Sequence, residues 1–564
     1  MTLVAPRLSP PWLAAGLAAP AIVTCAMLLA GPITKLSVGP VSPGGYDVTR
    51  MVLIHATLPR LFMAVLCGAA LSAAGAILQQ ALGNPLASPT TLGVDAGARL
   101  AIALASVFAP DLFGLGRDAV ALVGSTVSMV LVFALVRNRG FSAIAVVLAG
   151  LVVGLYCGAL AAILTLVENR YLTSLFIWGG GSLSQQSWQP SLDLLLRVGL
   201  AAPPILLLLR PLALLDLGDE ASRGLGLSVH RVRALAVGVA VLLSAFVTSA
   251  VGVIGFIGLA APILSGRAGA RRFPARLAWS CVIGALLLLI TDAVVQLVDT
   301  GSTRFLPTGA VTAVLGSPLL LLLLPGLKLT QSPPLMLPTV EGVARTRPMG
   351  VWPAAGVALL LLLALALLIG RGADASWRLV SPHDWGAVMP WRAPRFVAAA
   401  AAGGLLAAAG FILQRLTNNP LASPEMMGVS AGATLATALT MFVAGGLGEP
   451  GQGAAGVIGG LAVLALILSV ARGAGFAPEG VLLAGVALTA LVDAVVGVIM
   501  ASGDPRGIAL LAWLEGTTSG TTWSAALGAL ASCVLLAGLA AAAERWLTIL
   551  PLGGVTAQAL GIPL

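Results

Sequence analysis

Apolar runs of about twenty residues, each closed by a short polar stretch, recur from one end of this chain to the other. A helix of that length crosses the hydrocarbon core of a bilayer. The runs cover residues 12–31, 59–81, 119–136, 142–166, 191–214, 234–253, 277–296 and 307–325, with another opening on Gly93, and the pattern starts again near 351. About fifteen spans are predicted in all. Residues 12–30 follow Arg7 and imitate a signal peptide, but they run near full membrane length and read as a retained first helix. The polar breaks carry as much information. At Gly83-Asn84-Pro85 the proline removes a backbone donor and restricts its neighbour. Non-helical backbone at membrane depth is tolerated only where it is buried in protein or lines a water-filled path. Asn84 and Pro85 therefore either line such a path or cap a broken helix end. Gly93 and Gly97 form a pair suited to close helix packing. Trp178, ahead of three glycines, reads as an interface anchor.

The pattern is a repeat. Leu58–Ala98 returns as Ala393–Ala433 at an offset of 335 residues without a gap, and 22 of 40 positions are identical from Pro59/Pro394 to Ala98/Ala433. Asn419, Pro420 and Gly428 repeat Asn84, Pro85 and Gly93; further on, Gly485, Trp513 and Trp523 repeat Gly150, Trp178 and Trp188. The expected fold is an all-α polytopic membrane protein built from two tandem units in parallel orientation, related by a pseudo-two-fold axis along the membrane normal. The expected divisions are a first unit at 1–329, a polar, proline-containing connector at 330–350 and a second unit at 351–564. The last residue, Leu564, corresponds to Val229, so the second unit is expected to lack about 100 residues of its counterpart. The missing portion would include the repeat of Gly255–Arg276.

Composition agrees. Mean hydropathy is +1.03 and 9% of residues are charged, against about 25% in soluble domains. The 30 basic residues outnumber 21 acidic ones, but the arginines sit in short loops where they set orientation, and nucleic acid is not an expected partner. Leu217–Leu227 with His230, Arg231 and Arg233 is placed in the cytoplasm on this ground. The two lysines, Lys35 and Lys328, do not follow glycine, so a phosphate-cradling Walker loop is absent. Five scattered cysteines and three dispersed histidines suggest no metal site and no cofactor. No catalytic constellation recurs in both units, and the chain is not read as an enzyme. Asp95, Asp292 and Asp493 lie in or near apolar segments, where acids are functional candidates. Asp95 matches Ser430 and Asp493 matches Gly158, so no acid pair is repeated.

The motifs L-P-R-L, G-A-x-L, N-P-L-A-S-P and L-G-V-x-x-G-A, then Leu212–Leu227, Gly255–Pro262 (G-F-I-G-L-A-A-P) and Leu306–Pro318, resemble the FecCD-type permeases. These are membrane subunits of ABC importers for ferric siderophores, haem and cobalamin. Two fused units resemble the ferric hydroxamate form. The resemblance implies a multi-pass protein of the inner membrane, in contact with lipid, that moves a ferric siderophore by ATP-driven alternating access. It implies a separate cytoplasmic ATPase and a periplasmic substrate-binding protein as partners. It assigns Asn84, Pro85, Gly93, Asn419, Pro420 and Gly428 to the translocation path. It assigns Gly255, Gly258, Pro262, Arg267, Gly269, Arg271 and Arg272 to ATPase coupling, and Arg60, Arg392 and Arg395 to docking of the binding protein. Ile263 and Ser265 stand where the family usually has histidine and arginine. Two other readings are a secondary transporter with parallel repeats, which would need a coupling-ion site, and a truncated permease without function.

Overall fold

The computed structural model describes residues 9–38, 47–85, 87–137, 143–167, 178–298, 307–323, 351–371, 377–417, 422–424, 427–443, 448–473, 478–501, 504, 506–514, 516–552 and 558–561. Helices α1 (Pro10–Val38), α2 (Val48–Val52) and α3 (Leu58–Leu82) open the chain. After the Asn84-Pro85 break come α4 (Val94–Phe108), α5 (Arg117–Val136), α6 (Ala143–Val167) and α7 (Gln189–Leu214). The short α8 (Asp219–Gly224) leads to α9 (Val229–Val251), α10 (Ile257–Arg267), α11 (Phe273–Val298) and α12 (Thr308–Leu323). The later part holds α13 (Val351–Leu368), α14 (Trp385–Thr417), α15 (Val429–Phe442), α16 (Gly448–Gly473), α17 (Pro478–Ala501), α18 (Arg506–Leu514), α19 (Trp523–Ala542) and α20 (Glu544–Ile549). A two-stranded antiparallel hairpin, β1 (Ile369–Arg371) with β2 (Trp377–Leu379), interrupts the helices between α13 and α14. Three-residue strands give too little alternation to be read in a sequence.

Among the described residues ten helices are long and apolar enough to cross a membrane, and three more apolar helices are shorter. Part of the difference from fifteen lies in the helices that follow the Asn-Pro breaks. With 15 and 14 residues, α4 and α15 are each about 22 Å long, less than a hydrocarbon core of about 30 Å. On α7, Leu196, Leu200 and Leu207 are 65%, 69% and 79% exposed, the apolar outward face that a helix turns to lipid.

The chain forms two compact units. One comprises Met1–Leu327 with Val486–Leu511, the other Lys328–Gly485 with Ala512–Leu564. Residues 486–511, which the repeat assigns to the second copy, thus cluster with the first unit, where Ala494 packs with Ala310 and Ala313 of α12.

In the first unit α3 is the central helix, burying seventeen of its 25 residues. Small residues make this possible, because without side chains the backbones approach closely. A Cβ on Gly68 would strike the Gly284 carbonyl of α11, and one on Gly75 would strike the Gly258 carbonyl of α10. The same device joins α4 to α5 through Gly97 and Gly124, and in the second unit α15 to α16 through Gly432 and Gly459, the repeat-related positions. Trp178 is not an interface anchor: it is 8% exposed and packs with Ala98 and Ile102 of α4. The chain beside it turns inward, with the Trp178 carbonyl against Gly252.

Candidate translocation and coupling site

The break after α3 begins at Gly83, whose φ of 58° ends the helix in the left-handed region. Asn84 is half-buried and its carbonyl accepts from the Ala87 amide at 3.1 Å, closing a tight turn, while Pro85 is exposed. Gly93 starts α4 with φ 74° and ψ 9°, and Gly428 starts α15 with φ 68° and ψ 8°. Both are buried. A Cβ on Gly93 would stand 2.7 Å from the Gly150 carbonyl of α6, so this residue is fixed by backbone conformation and by packing at once. Its carbonyl accepts from Ser128 Oγ at 2.9 Å. Asn419 and Pro420 lie outside the described residues.

Beside the break is a small crevice between α3, α4, α9 and α10, lined by Ser88, Asp95, Thr248 and Phe256 among others. Asp95, in the first turn of α4, accepts from Thr248 Oγ1 at 2.8 Å. Phe256 has a φ of 74°, the one positive value among described residues other than glycine. The Ile257 amide donates to the Gly255 carbonyl at 2.9 Å across it, a three-residue turn of the strained hand. The Phe256 ring fills the space above Gly316 of α12.

At the far end of α3, Arg60 meets Asp292 of α11. Its Nε and Nη2 donate to Oδ1 at 3.0 and 2.8 Å, and Nε also reaches Oδ2 at 3.0 Å. The carboxylate is fully buried, and the Arg60 side chain is 18% exposed. Gln296 Nε2 and Thr308 Oγ1 donate to the same carboxylate at 2.7 and 3.0 Å. Arg60 thus holds an internal partner on one edge of its guanidinium. Arg392 donates through Nη1 to the Leu367 and Ile369 carbonyls, both at 2.9 Å, which pins the start of α14 to the end of α13 and the hairpin. Arg395 is half-buried one turn further along α14.

The seven residues expected at the coupling surface fall into two groups. Gly258 and Pro262 are buried and Gly255 is half-buried; α10 is enclosed from Ile257 to Ser265. Arg267, Gly269, Arg271 and Arg272 are exposed. The outward part is therefore the turn between α10 and α11, while Gly258 and Pro262 seat the helix that carries it. Gly269, at φ 107°, gives the turn its direction. Ser265 clips the two helices together: its Oγ lies 2.9 Å from the Pro262 carbonyl, 3.3 Å from that of Arg276 and 2.9 Å from Ser280 Oγ.

The C-terminal end of α3 carries a polar cluster to which the sequence reading gave no site role. Gln79 Nε2 donates to the Leu259 carbonyl of α10 at 3.2 Å. Gln80 Nε2 donates to the Leu212 carbonyl at 2.7 Å and to Asp216 at 2.9 Å, and Arg276 Nη2 donates to Gln80 Oε1. Arg233, itself 8% exposed, donates to the Ala81 carbonyl at 2.7 Å and to Asp219 at 3.1 Å. A signal did exist: two adjacent glutamines and an arginine within apolar helices must be satisfied by something buried. In the second copy Gln80 is replaced by Arg415, whose guanidinium lies 5.2 Å from the centre of the Phe411 ring.

The model of the FecCD transport family matches residues 18–325 and 356–564. The chain belongs to the FecCD transport family. FecCD sequence thus occupies both copies of the repeat. Among FecCD relatives, the iron(3+)-hydroxamate import system permease protein FhuB of Salmonella typhimurium is 41% identical over 525 residues, covering 93% of this chain and 76% of that protein. FhuB of Escherichia coli is 39% identical over 524 residues, covering 93% of this chain and 79% of its own length. A solved structure described as a metal-chelate type ABC transporter in an inward-facing conformation aligns with 57% of this chain and 100% of its own, at 26% identity and a TM-score of 0.47. The FecCD chain described here is a multi-pass membrane protein.

Proposed function

We propose that this chain is the membrane-spanning permease of an ABC importer that carries a ferric hydroxamate siderophore across the plasma membrane into the cytoplasm. The observation that carries this reading is the match to two iron(3+)-hydroxamate permeases over 93% of the chain, through both copies of the repeat. ATP hydrolysis belongs to a separate ATPase that grips the exposed turn Arg267–Arg272. A periplasmic binding protein delivers the chelate at the end of α3 and α14 marked by Arg60, Arg392 and Arg395. Asn84 and Pro85, with Asn419 and Pro420 in the second copy, border the path. Gly93 and Gly428 set the direction of the helices that leave it. Gly255, Gly258 and Pro262 hold the coupling helix in place.

The test is uptake of radiolabelled iron as a ferric hydroxamate into proteoliposomes holding the chain with its ATPase, the binding protein outside and ATP inside. The expected result is uptake that vanadate stops and a protonophore leaves unchanged. The reverse pattern would establish a secondary transporter instead. Uptake of ferric citrate or a ferric catecholate in preference to the hydroxamate would replace the substrate class while keeping the importer. Absence of any ATP-driven uptake by a well-folded complex would overturn the reading.

A further inference from the structure

Helices α3 and α11 run antiparallel, and three contacts at successive levels join them. Arg60 meets Asp292 at one end, the Gly68 and Gly284 backbones touch in the middle, and Gln80 meets Arg276 at the other end. Each step forward along α3 is matched by a step backward along α11. Arg60 and Gln80 are about 30 Å apart along the helix, close to the thickness of a hydrocarbon core. The two polar clasps are therefore about one hydrocarbon-core thickness apart, with backbone contact between Gly68 and Gly284 in the middle.

Each clasp also recruits the neighbouring elements. Asp292 takes Thr308 of α12 as well as Arg60. Gln80 takes the end of α7 through the Leu212 carbonyl and Asp216. The first turn of α11 is fixed to α10 by Ser265, and the exposed arginine turn lies between these two helices. A displacement of one end of α11 relative to α3 has to break a clasp or carry the other end with it.

We propose that α3 and α11 form a rigid strut that transmits binding-protein docking to the Arg267–Arg272 turn, with Asp292 and Gln80 as its positioning residues. The proposal rests on the docking and coupling roles given above. It differs from simple stapling of the fold in one measurable respect. Substitutions this far apart with no shared partner have additive effects on stability. In a strut either clasp is indispensable, so opening the second adds nothing to opening the first.

The experiment uses the full permease with its ATPase in nanodiscs. It measures ATP hydrolysis with and without the loaded binding protein, together with the affinity of that protein for the complex. The variants are Asp292→Asn, Gln80→Met and the double. Each single variant is expected to keep basal hydrolysis and binding-protein affinity within about twofold and to lose most of the stimulation; the double variant is expected to match the singles. Stimulation unchanged in either single variant, independent losses that multiply in the double, or a parallel fall in basal hydrolysis would overturn the strut. Should Asp292→Asn fail to accumulate, Gln80→Met alone opens the other clasp, and unchanged stimulation there would overturn the proposal. A charge reversal of Arg267, Arg271 and Arg272 serves as control. If it leaves the ATPase bound, the coupling role itself is wrong, an outcome separate from failure of the clasps.

Discussion

Asp292 has no exposed surface, yet four hydrogen-bond donors from three side chains surround its carboxylate. A buried carboxylate of this kind is tolerable only while its partners stay in place, because removing one side of the pair leaves a bare charge. Asp292→Ala is expected to destabilise the protein by about 3 kcal/mol, the lower end for a broken buried pair. The loss should appear as a lowered midpoint in thermal unfolding followed in detergent; a midpoint equal to that of the parent would refute it. Both residues stood out in the sequence, Asp292 as an acid in an apolar run and Arg60 as the arginine of the L-P-R-L motif. That they are partners was not legible: 232 positions separate them, and helical periodicity says nothing about which distant helix comes alongside. Gly93 was legible as a packing residue and is one, but its φ of 74° is a second constraint that spacing does not report. Gly93→Ala combines strain with a contact against α6 and should lower the unfolding midpoint by more than Gly83→Ala, which meets open space.

At the level of single helices, the apolar runs located most of the long elements, and the polar breaks between them fell close to where the helices end. What they could not give is which side of a uniformly apolar helix faces protein and which faces lipid. On α10 the consequence is clear. The motif Gly255–Pro262 and the arginines after it read as one coupling feature, whereas the fold encloses the motif and exposes the arginines. The two halves should therefore fail differently. Reversing the charges of Arg267, Arg271 and Arg272 should leave the unfolding midpoint within a few degrees and weaken capture of the ATPase by about tenfold at moderate salt, measured by co-purification. Gly75→Ala, which drives a methyl group into the Gly258 carbonyl, should instead cost about 3 kcal/mol of stability and lower the yield of monodisperse protein on size exclusion. If both classes of variant lost ATPase binding with intact folding, the division between seat and surface would be mistaken.

Over the whole molecule, the offset of 335 residues was the most informative number in the sequence, and equivalent glycines in the two copies adopt the same left-handed turn. The repeat does not extend to every contact. Residues 486–511 join the first unit, a grouping set by tertiary packing and invisible to an alignment of the copies. Gln80 and Arg415 occupy one place in the repeat but carry different chemistry: an amide bonded to three groups in the first copy, and a cation laid over an aromatic ring in the second. An assembly of two identical chains inherits every mutation in duplicate, so a change that suits one side is imposed on the other. A tandem arrangement lifts that restriction. Selection acts on each copy separately, and the substitution at Arg415 records one position at which the halves have already taken separate courses.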